Sequence, residues 1–357
     1  MSIFRWGWNS YFEAIWNETE HENAVPARIV SAARGIWRLA GDFGECPAEA
    51  AGKLRLAAQE GADWPAVGDW VAVERRDKGD AAFILEVLPR RSQFVRKTAG
   101  KRIAEQVIAA NVDTALLVSA LDGDFNPRRV ERYLSQCWDS GAKPVIVLNK
   151  ADACKNCNEP VHKMESIAMG APVVLVSAKT GYGFVDLERH FEPRCTLVLL
   201  GSSGVGKSTI VNRLMGHSIQ EVQPVRDSDS RGRHTTTARE LFVLPGGSLL
   251  IDTPGLRELQ LWDAEDGISH AFLDIESLAL QCRFGDCRHE DEPGCAVQRA
   301  VEDGSIDLAR LENWRKVLRE QAFLRRKVDL EARQNEKQRI KQIMKGVRRM
   351  YREKHSS

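Results

Sequence analysis

The residues best suited to chemistry are Gly201, Ser202, Ser203, Gly204, Val205, Gly206, Lys207, Ser208 and Thr209. They match the pattern Gly-x4-Gly-Lys-Ser/Thr, whose backbone N–H groups wrap phosphate oxygens when it follows a strand and opens a helix. The flanking text fits: the apolar run CTLVLL precedes the loop, and KSTIVNRLMG has helical character. In such a loop Lys207 reaches the β- and γ-phosphates, and the Ser208 hydroxyl ligates Mg²⁺. A second set addresses a base. Asn149, Lys150, Ala151 and Asp152 follow the apolar run KPVIVL. The Asp152 carboxylate can accept from both N1–H and the exocyclic amine of guanine. Adenine has no such donor pair and would leave the carboxylate unsatisfied. Asn149 is expected to bond the base edge and tie loops together, with the Lys150 stem over the ring. Ser177, Ala178 and Lys179 follow another apolar run, and the Ala178 N–H is placed to meet guanine O6.

A third set concerns nucleotide state. Asp252-Thr253-Pro254-Gly255 follows SLLI; Asp252 would hold Mg²⁺ through water, and the Gly255 N–H would meet a γ-phosphate. Between this motif and the phosphate loop lies Arg231-Gly232-Arg233-His234-Thr235-Thr236-Thr237. Thr235 or Thr236 is the expected second Mg²⁺ ligand. The motifs come in an unusual order, with NKAD and SAK ahead of the phosphate loop. Loops on one sheet edge can meet after the termini are joined and the chain is cut elsewhere, so the order reads as a circular permutation.

Eight cysteines are spread along the chain. Cys282, Cys287, His289 and Cys295 form Cys-x4-Cys-x-His-x5-Cys, a donor set for a closed tetrahedral Zn²⁺ shell. Four protein ligands leave no position for water, so the expected role is structural, with one zinc per chain. Cys154 and Cys157 form a lone Cys-x2-Cys read as incidental.

These residues must be carried by more than one domain. The chain has 357 residues, 43% hydrophobic and 28% charged, which suits a folded multidomain protein and argues against wholesale disorder. It has no apolar run long enough for a membrane span and no secretory leader at its start, so the expectation is a cytoplasmic, monomeric protein with no membrane partner. Residues 1–24 form an aromatic-rich N-terminal extension. Residues 25–98 carry short β-like segments (ARIV, GIWRL, GKLRLAA, DWVAVE, AAFILEVL) and are expected to form an OB-fold barrel, which an SH3-like barrel would rival. The basic stretch from Pro89 to Lys97 reads equally as a linker touching phosphate and as an ordinary charged linker. Residues 99–270 alternate apolar runs with helical stretches and predict βαβ units in a largely parallel sheet, with the motif loops at its carboxyl edge. Residues 271–357 are mostly helical around the Cys/His set and end in a basic helix. The net charge of +1 conceals an asymmetry: residues 310–357 hold 16 Lys and Arg against 6 Asp and Glu, so the rest carries −9. A basic tail on an acidic body fits a polyanionic partner.

The whole pattern (barrel, RRS…RK junction, NKAD, SAK, GSSGVGKST, GRHTTT, DTPG and the Cys/His cluster) resembles the ribosome small-subunit-dependent GTPases, which are circularly permuted bacterial GTPases. The resemblance implies an all-β N-terminal OB-fold, a central α/β P-loop GTPase and a mostly α zinc-binding C-terminal domain. It further implies GTP and GDP as ligands, rRNA and the small ribosomal subunit as partners, late subunit maturation as the setting, and hydrolysis stimulated by the subunit. The position after DTPG is Leu256, where Ras-like enzymes carry a water-orienting Gln; the resemblance implies the same hydrophobic substitution, hence slow intrinsic turnover. His234 is a candidate to position the water. Gly204 stands where some related GTPases place an Asn that recruits K⁺. The rival readings are a GTP-sensing RNA-binding adaptor with incidental turnover and, more remotely, an ATP-dependent P-loop enzyme.

Overall fold

Near the N-terminus, the strands β1 (Ala24–Ala33), β2 (Ile36–Gly41), β3 (Gly44–Ala50), β4 (Trp70–Arg75) and β5 (Ala82–Val87) curl into a barrel. They pair in the order β1-β2-β3-β5-β4, and β4 returns to β1. Closure removes the free edges that an open sheet would expose. Only β3 and β5 run parallel; this is the OB-fold. Ile29, Leu39, Trp70 and Ile84 are fully buried. The aromatic opening segment packs on the barrel: Trp8 and Phe12, the latter in helix α1 (Ser10–Glu18), lie 4.8 and 5.7 Å from the Trp70 ring. The computed structural model describes residues 2–18, 23–33, 35–58, 63–75, 81–98, 104–122, 125–216, 239–252, 272–319 and 322.

Two local expectations change. GKLRLAA is helix α2 (Gly52–Ala57), and the strand lies before it in the less apolar GECPAEA. Alternation in KLRL satisfies a strand pattern, but Leu56 is 86% exposed and has no opposite strand to cover it. The Arg55 N–H instead bonds the Ala51 carbonyl in a helical turn, and its Nε bonds the Ala50 carbonyl at 2.9 Å. The basic stretch after β5 is bracing as well as linker. Arg90 grips the buried Asp69 carboxylate through Nε and Nη2, both at 2.8 Å, and Arg91 pairs with Asp113. These two cations are thereby spent on the fold.

β6 (Gln93–Thr98) and β7 (Ala104–Ala110) form a separate antiparallel ribbon, so the expected boundary at 98/99 falls at the end of its first strand. Beyond it, β8 (Thr114–Ala120), β9 (Lys143–Asn149), β10 (Val173–Leu175), β11 (Thr196–Leu200) and β13 (Leu249–Asp252) run parallel, while β12 (Arg239–Val243) is antiparallel to β13. The sheet order is β10-β9-β8-β11-β13-β12, and β12 then pairs with β1 of the barrel through Ser31 and Ala32. The parallel strands are buried on both faces, which is why they read as continuous apolar runs. Helices α3 (Pro127–Ser140), α4 (Asn158–Glu165), α5 (Phe184–Glu188) and α6 (Lys207–Met215) connect them. The chain closes with α7 (Leu273–Ala279), α8 (Ala296–Glu302) and helical backbone over residues 308–319. Among the described residues no helix is long and apolar enough to cross a membrane.

One buried cation fixes the barrel to the sheet. Arg28 is 1% exposed and donates to Thr196 Oγ1 at 2.8 Å, to the Gly68 and Asn111 carbonyls, and to the Trp6 carbonyl. Its partners thus come from the opening segment, the barrel, β11 and the turn before β8. A second buried network holds the C-terminal helices against α3: Arg310 bonds Asp274 at 2.7 and 2.9 Å and also meets Glu131 of α3, which Asn313 bonds as well. Burial pushes the Glu131 carboxyl up, opposed first by Arg310. Arg28→Ala would strand several buried acceptors, each costing about 1–3 kcal/mol when unsatisfied. The expected result is a loss of at least about 3 kcal/mol in a urea unfolding experiment.

Candidate functional site

The carboxyl ends of the parallel strands bring the predicted residues together. The phosphate loop leaves β11 at Gly201 and enters α6 at Lys207. Its glycines are conformationally required: Gly201 has φ 151°, and a Cβ there would lie 2.4 Å from the Val118 carbonyl oxygen. Gly206 has φ 95°, and its Cβ would lie 2.3 Å from Asn149 Nδ2. Ser203 and Gly204 are exposed, Val205 is buried, and Ser202, Ser208 and Thr209 are half-buried. Lys207 Nζ donates to the Gly201 carbonyl at 2.6 Å and to that of Ser202, so its ammonium lies along the loop.

Asn149, at the end of β9, is 2% exposed and uses both ends of its carboxamide. Nδ2 donates to the Val205 carbonyl at 2.9 Å, and Oδ1 accepts from the Ala178 N–H at 3.0 Å. The phosphate loop, the NKAD loop and the SAK loop therefore meet at one side chain. The Ala178 N–H expected to face a base is engaged here by Asn149, so a purine O6 would have to share it. Lys150 takes a left-handed backbone, φ 65°, and its ammonium meets Asp122 after β8 at 2.5 Å. Ala151 N–H bonds the Val176 carbonyl at 3.1 Å. Asp152 is exposed, and its Oδ1 accepts from Ser177 Oγ at 2.6 Å; that bond holds the carboxyl below its usual range. An ionised acceptor is what a paired N–H donor edge needs. Lys179 is exposed beside it. Asp252 closes β13, which lies next to β11; β11 and β8 separate it from β9, whose end carries NKAD. His234, Thr235, Thr236 and Gly255, with Leu256 and the basic tail beyond residue 322, lie outside the described residues.

Sequence reasoning missed two arginines. Arg213 in α6 donates to the Ala178 carbonyl at 3.3 Å and the Lys179 carbonyl at 3.0 Å, clasping the SAK loop from the phosphate-loop helix. Arg129 in α3 donates to Ser202 Oγ at 2.7 Å. Neither lies in a motif; only the sheet order brings them to the loops. The Cys154–Cys157 pair stays apart from this chemistry: burial first, then its neighbour, pushes the Cys157 thiol up to about 11, which leaves it a poor nucleophile.

The Cys/His set is brought together. Donor atoms of Cys282, Cys287, His289 and Cys295 all lie within 4.8 Å of one another. Cys282 Sγ and Cys295 Sγ each sit 3.5 Å from His289 Nδ1 and 3.9 Å from each other. Tetrahedral Zn–S and Zn–N bonds imply edges of about 3.5–3.8 Å, so this donor set can hold such an ion. Burial lowers the His289 pKa, keeping the ring neutral and able to ligate. Burial also raises the Cys282 thiol, but the Ala296 and Val297 N–H groups and the neighbouring thiols bring it below its ordinary value. The His289 carbonyl is bonded by Gln298 Nε2 at 2.6 Å and by Arg315, and the Trp314 ring lies 5.5 Å from the imidazole.

Residues 87–262 match the family described as RsgA GTPase. The chain is 44% identical to the small ribosomal subunit biogenesis GTPase RsgA of Opitutus terrae, over 98% of this chain and 97% of that protein. It is 43% identical to the protein of the same description from Syntrophotalea carbinolica, over 99% of each. The crystal structure of YjeQ from Thermotoga maritima is similar, with a TM-score of 0.63 and 27% identity over 83% of this chain and 98% of that one. The crystal structure of YloQ, described as a circularly permuted GTPase, shares the fold with a TM-score of 0.58 at 24% identity, covering 85% and 97%.

Two outcomes test the geometry. Asn149→Ala leaves the Val205 carbonyl and the Ala178 N–H without their partner, and chemical denaturation should show a loss of about 1–3 kcal/mol. Cys295→Ser removes one sulfur donor, and bound metal measured by plasma emission should fall well below the wild-type content.

Proposed function

The chain belongs to the RsgA GTPase family, and from that membership and its converged loops we propose that GTP occupies the carboxyl edge of the parallel sheet. The protein is a GTPase, and the process it serves is biogenesis of the small ribosomal subunit. The observation that carries the site assignment is the Asn149 carboxamide, which gathers a phosphate-binding loop and two base-reading loops at one point.

In this reading the Gly201–Lys207 loop wraps the phosphates and Lys207 exchanges its loop carbonyls for β- and γ-phosphate oxygens. Asp152 accepts from the guanine N1–H and amine, Ser177 keeps that carboxylate oriented and ionised, and the Lys150 stem covers the ring while Asp122 fixes its ammonium. Ser208, Asp252 and Thr235 or Thr236 would hold Mg²⁺, which when bound would supply positive charge to offset that on the phosphates. Water attacks the γ-phosphorus, the bond to the β–γ bridging oxygen breaks, and GDP and phosphate result. No Gln follows the DTPG motif, so intrinsic turnover is slow; His234 is the candidate to orient the water, with the subunit completing the site. The Cys282, Cys287, His289 and Cys295 set holds one structural Zn²⁺, supported by donor spacings that suit a closed four-ligand shell.

The division of labour follows the domains expected from the sequence: a barrel, over residues 25–98, and a basic C-terminal helix that contact rRNA, flanking a GTPase over residues 99–270. The protein acts in the cytoplasm as a monomer, late in subunit maturation, and RNA affinity falls steeply with salt.

Single-turnover GTP hydrolysis measured against small-subunit concentration tests this. The expected result is a rate rise of about tenfold or more, equivalent to about 1.4 kcal/mol off the barrier. A flat response would favour a GTP-sensing adaptor whose turnover is incidental. Asp152→Asn should cost about a hundredfold or more in GTP affinity, read by calorimetry; an unchanged preference for GTP over ATP would sink the base assignment.

A further inference from the structure

The strongest unassigned feature is a cleft of about 930 Å³ between α3 and the Cys/His module. One wall is α3, which supplies Arg128, Arg129 and Arg132; the other supplies Arg288, from between two metal-ligand positions, and Lys316 and Arg319 of the last helix. Arg315 adds a further guanidinium, while Glu290 and Glu312 are the acidic residues that line it. So many like charges repel, and a fold tolerates them at one place only when the walls are held by something else. Here the walls are held from beneath by the buried Glu131–Arg310–Asp274 network and by the metal-ligand loop.

The lining defines the ligand. Guanidinium forks bind phosphate oxygens in pairs, and six of the seven cations are arginines. Trp314, the aromatic residue in the lining, is 7% exposed, bonds Glu276 through Nε1 and lies against His289, so it offers no face on which a base could stack. A surface that meets phosphates and not bases suits a continuous backbone better than a single nucleotide. Arg129 has a second attachment: its Nη1 donates to Ser202 Oγ in the phosphate loop. We propose that this cleft seats the phosphodiester backbone of an RNA segment, and that Arg129, shared with Ser202, couples its occupancy to the nucleotide site. This rests on the ribosomal reading above and places an RNA contact on a surface distinct from the barrel and the tail. Phosphate drawn to Arg129 competes with Ser202 for its guanidinium, so RNA and nucleotide each alter the other's hold.

The test uses the full-length protein, loaded with metal and GDP, and a 20-nucleotide RNA hairpin as probe. Arg128 and Arg319 are exposed, so the double variant Arg128→Glu/Arg319→Glu should keep its metal content, GDP affinity and basal GTPase rate. It should bind the hairpin at least tenfold more weakly at moderate salt, with the slope of log affinity against log salt reduced by about 1 for each lost phosphate contact. Arg129→Gln should bind the hairpin within a few-fold of wild type, yet the hairpin should no longer change the rate of GDP release. Unchanged hairpin affinity in the double variant, with wild type binding, overturns the cleft and leaves the ribosomal reading intact. Wild type failing to bind RNA overturns the RNA contact in both. If the double variant keeps RNA but loses an RNA-free small-subunit protein, the cleft takes an acidic protein surface and the RNA assignment falls. A response to RNA that survives in Arg129→Gln overturns the coupling alone.

Discussion

A single buried carboxamide organises the nucleotide edge. Asn149 has one donor end and one acceptor end, and each is matched to a backbone group of the opposite kind on a different loop. Neither loop could be satisfied by water, because the side chain is 2% exposed. An unpaired buried polar group costs more than a pair gains, so the arrangement is enforced by what its absence would leave behind. The constraint reaches further than two bonds. Gly206 must be glycine because Asn149 stands where its Cβ would be, and the Lys150 backbone turns left-handed immediately after the brace. The phosphate, NKAD and SAK loops are thereby fixed relative to one another, so a nucleotide bound as proposed would meet a preorganised site.

Such a brace explains why the shuffled order of motifs is harmless. Asn149 and Ala178 precede the phosphate loop in the chain, but the hydrogen bonds depend on strand neighbours in space. β8 stands between β9 and β11, with registers that bring Asn149 opposite Ala120 and Leu200 opposite Leu117. What permutation does change is the attachment of the flanking parts. The barrel enters ahead of β8 and is joined to the sheet edge by β1–β12 pairing and by Arg28, whose partners span all these parts. A cation buried this deeply is tolerable only because its donors are met by oxygens, and those oxygens come from segments that could not otherwise be held in register.

How much was legible in the sequence follows from the range of each interaction. The phosphate loop, NKAD, SAK and Asp252 were readable because their geometry is local: a strand end, a tight turn and a few side chains within one loop. The Cys/His set was readable because its four donors lie within fourteen residues. The parallel strands announced themselves by burial on both faces. Arg129, Arg213 and Arg28 were not readable, since each acts across the fold on a group far away in the chain and its type alone fits a solvated surface. KLRL misled because alternation is a necessary mark of a strand and not a sufficient one; Leu56 had no covering layer, and only the barrel's closure could reveal that. Arg90 and Arg91 were ambiguous for the same reason: their charge fitted an external phosphate and an ordinary linker equally, and their partners are Asp69 and Asp113.

Helix α3 has a role that no motif marks. Arg129 on this helix touches the phosphate loop, Glu131 takes Arg310 and Asn313 from the C-terminal module, and the ring of Phe272 lies 5.0 Å under the Arg310 guanidinium. The polypeptide leaves β13 at Asp252 and reaches α7 just after Phe272, so the segment carrying Gly255 is tied at one end to the nucleotide sheet and at the other to the module locked on α3. Among the described residues one set of contacts runs from the phosphate loop to the C-terminal module: Ser202 to Arg129, along α3, and Glu131 to Arg310 and Asn313. A shift of the module against α3 would have to carry both Arg310 and Asn313 away from Glu131, and losing both would leave a buried carboxylate unpaired. The network therefore favours movement of the module together with α3 over sliding between the two.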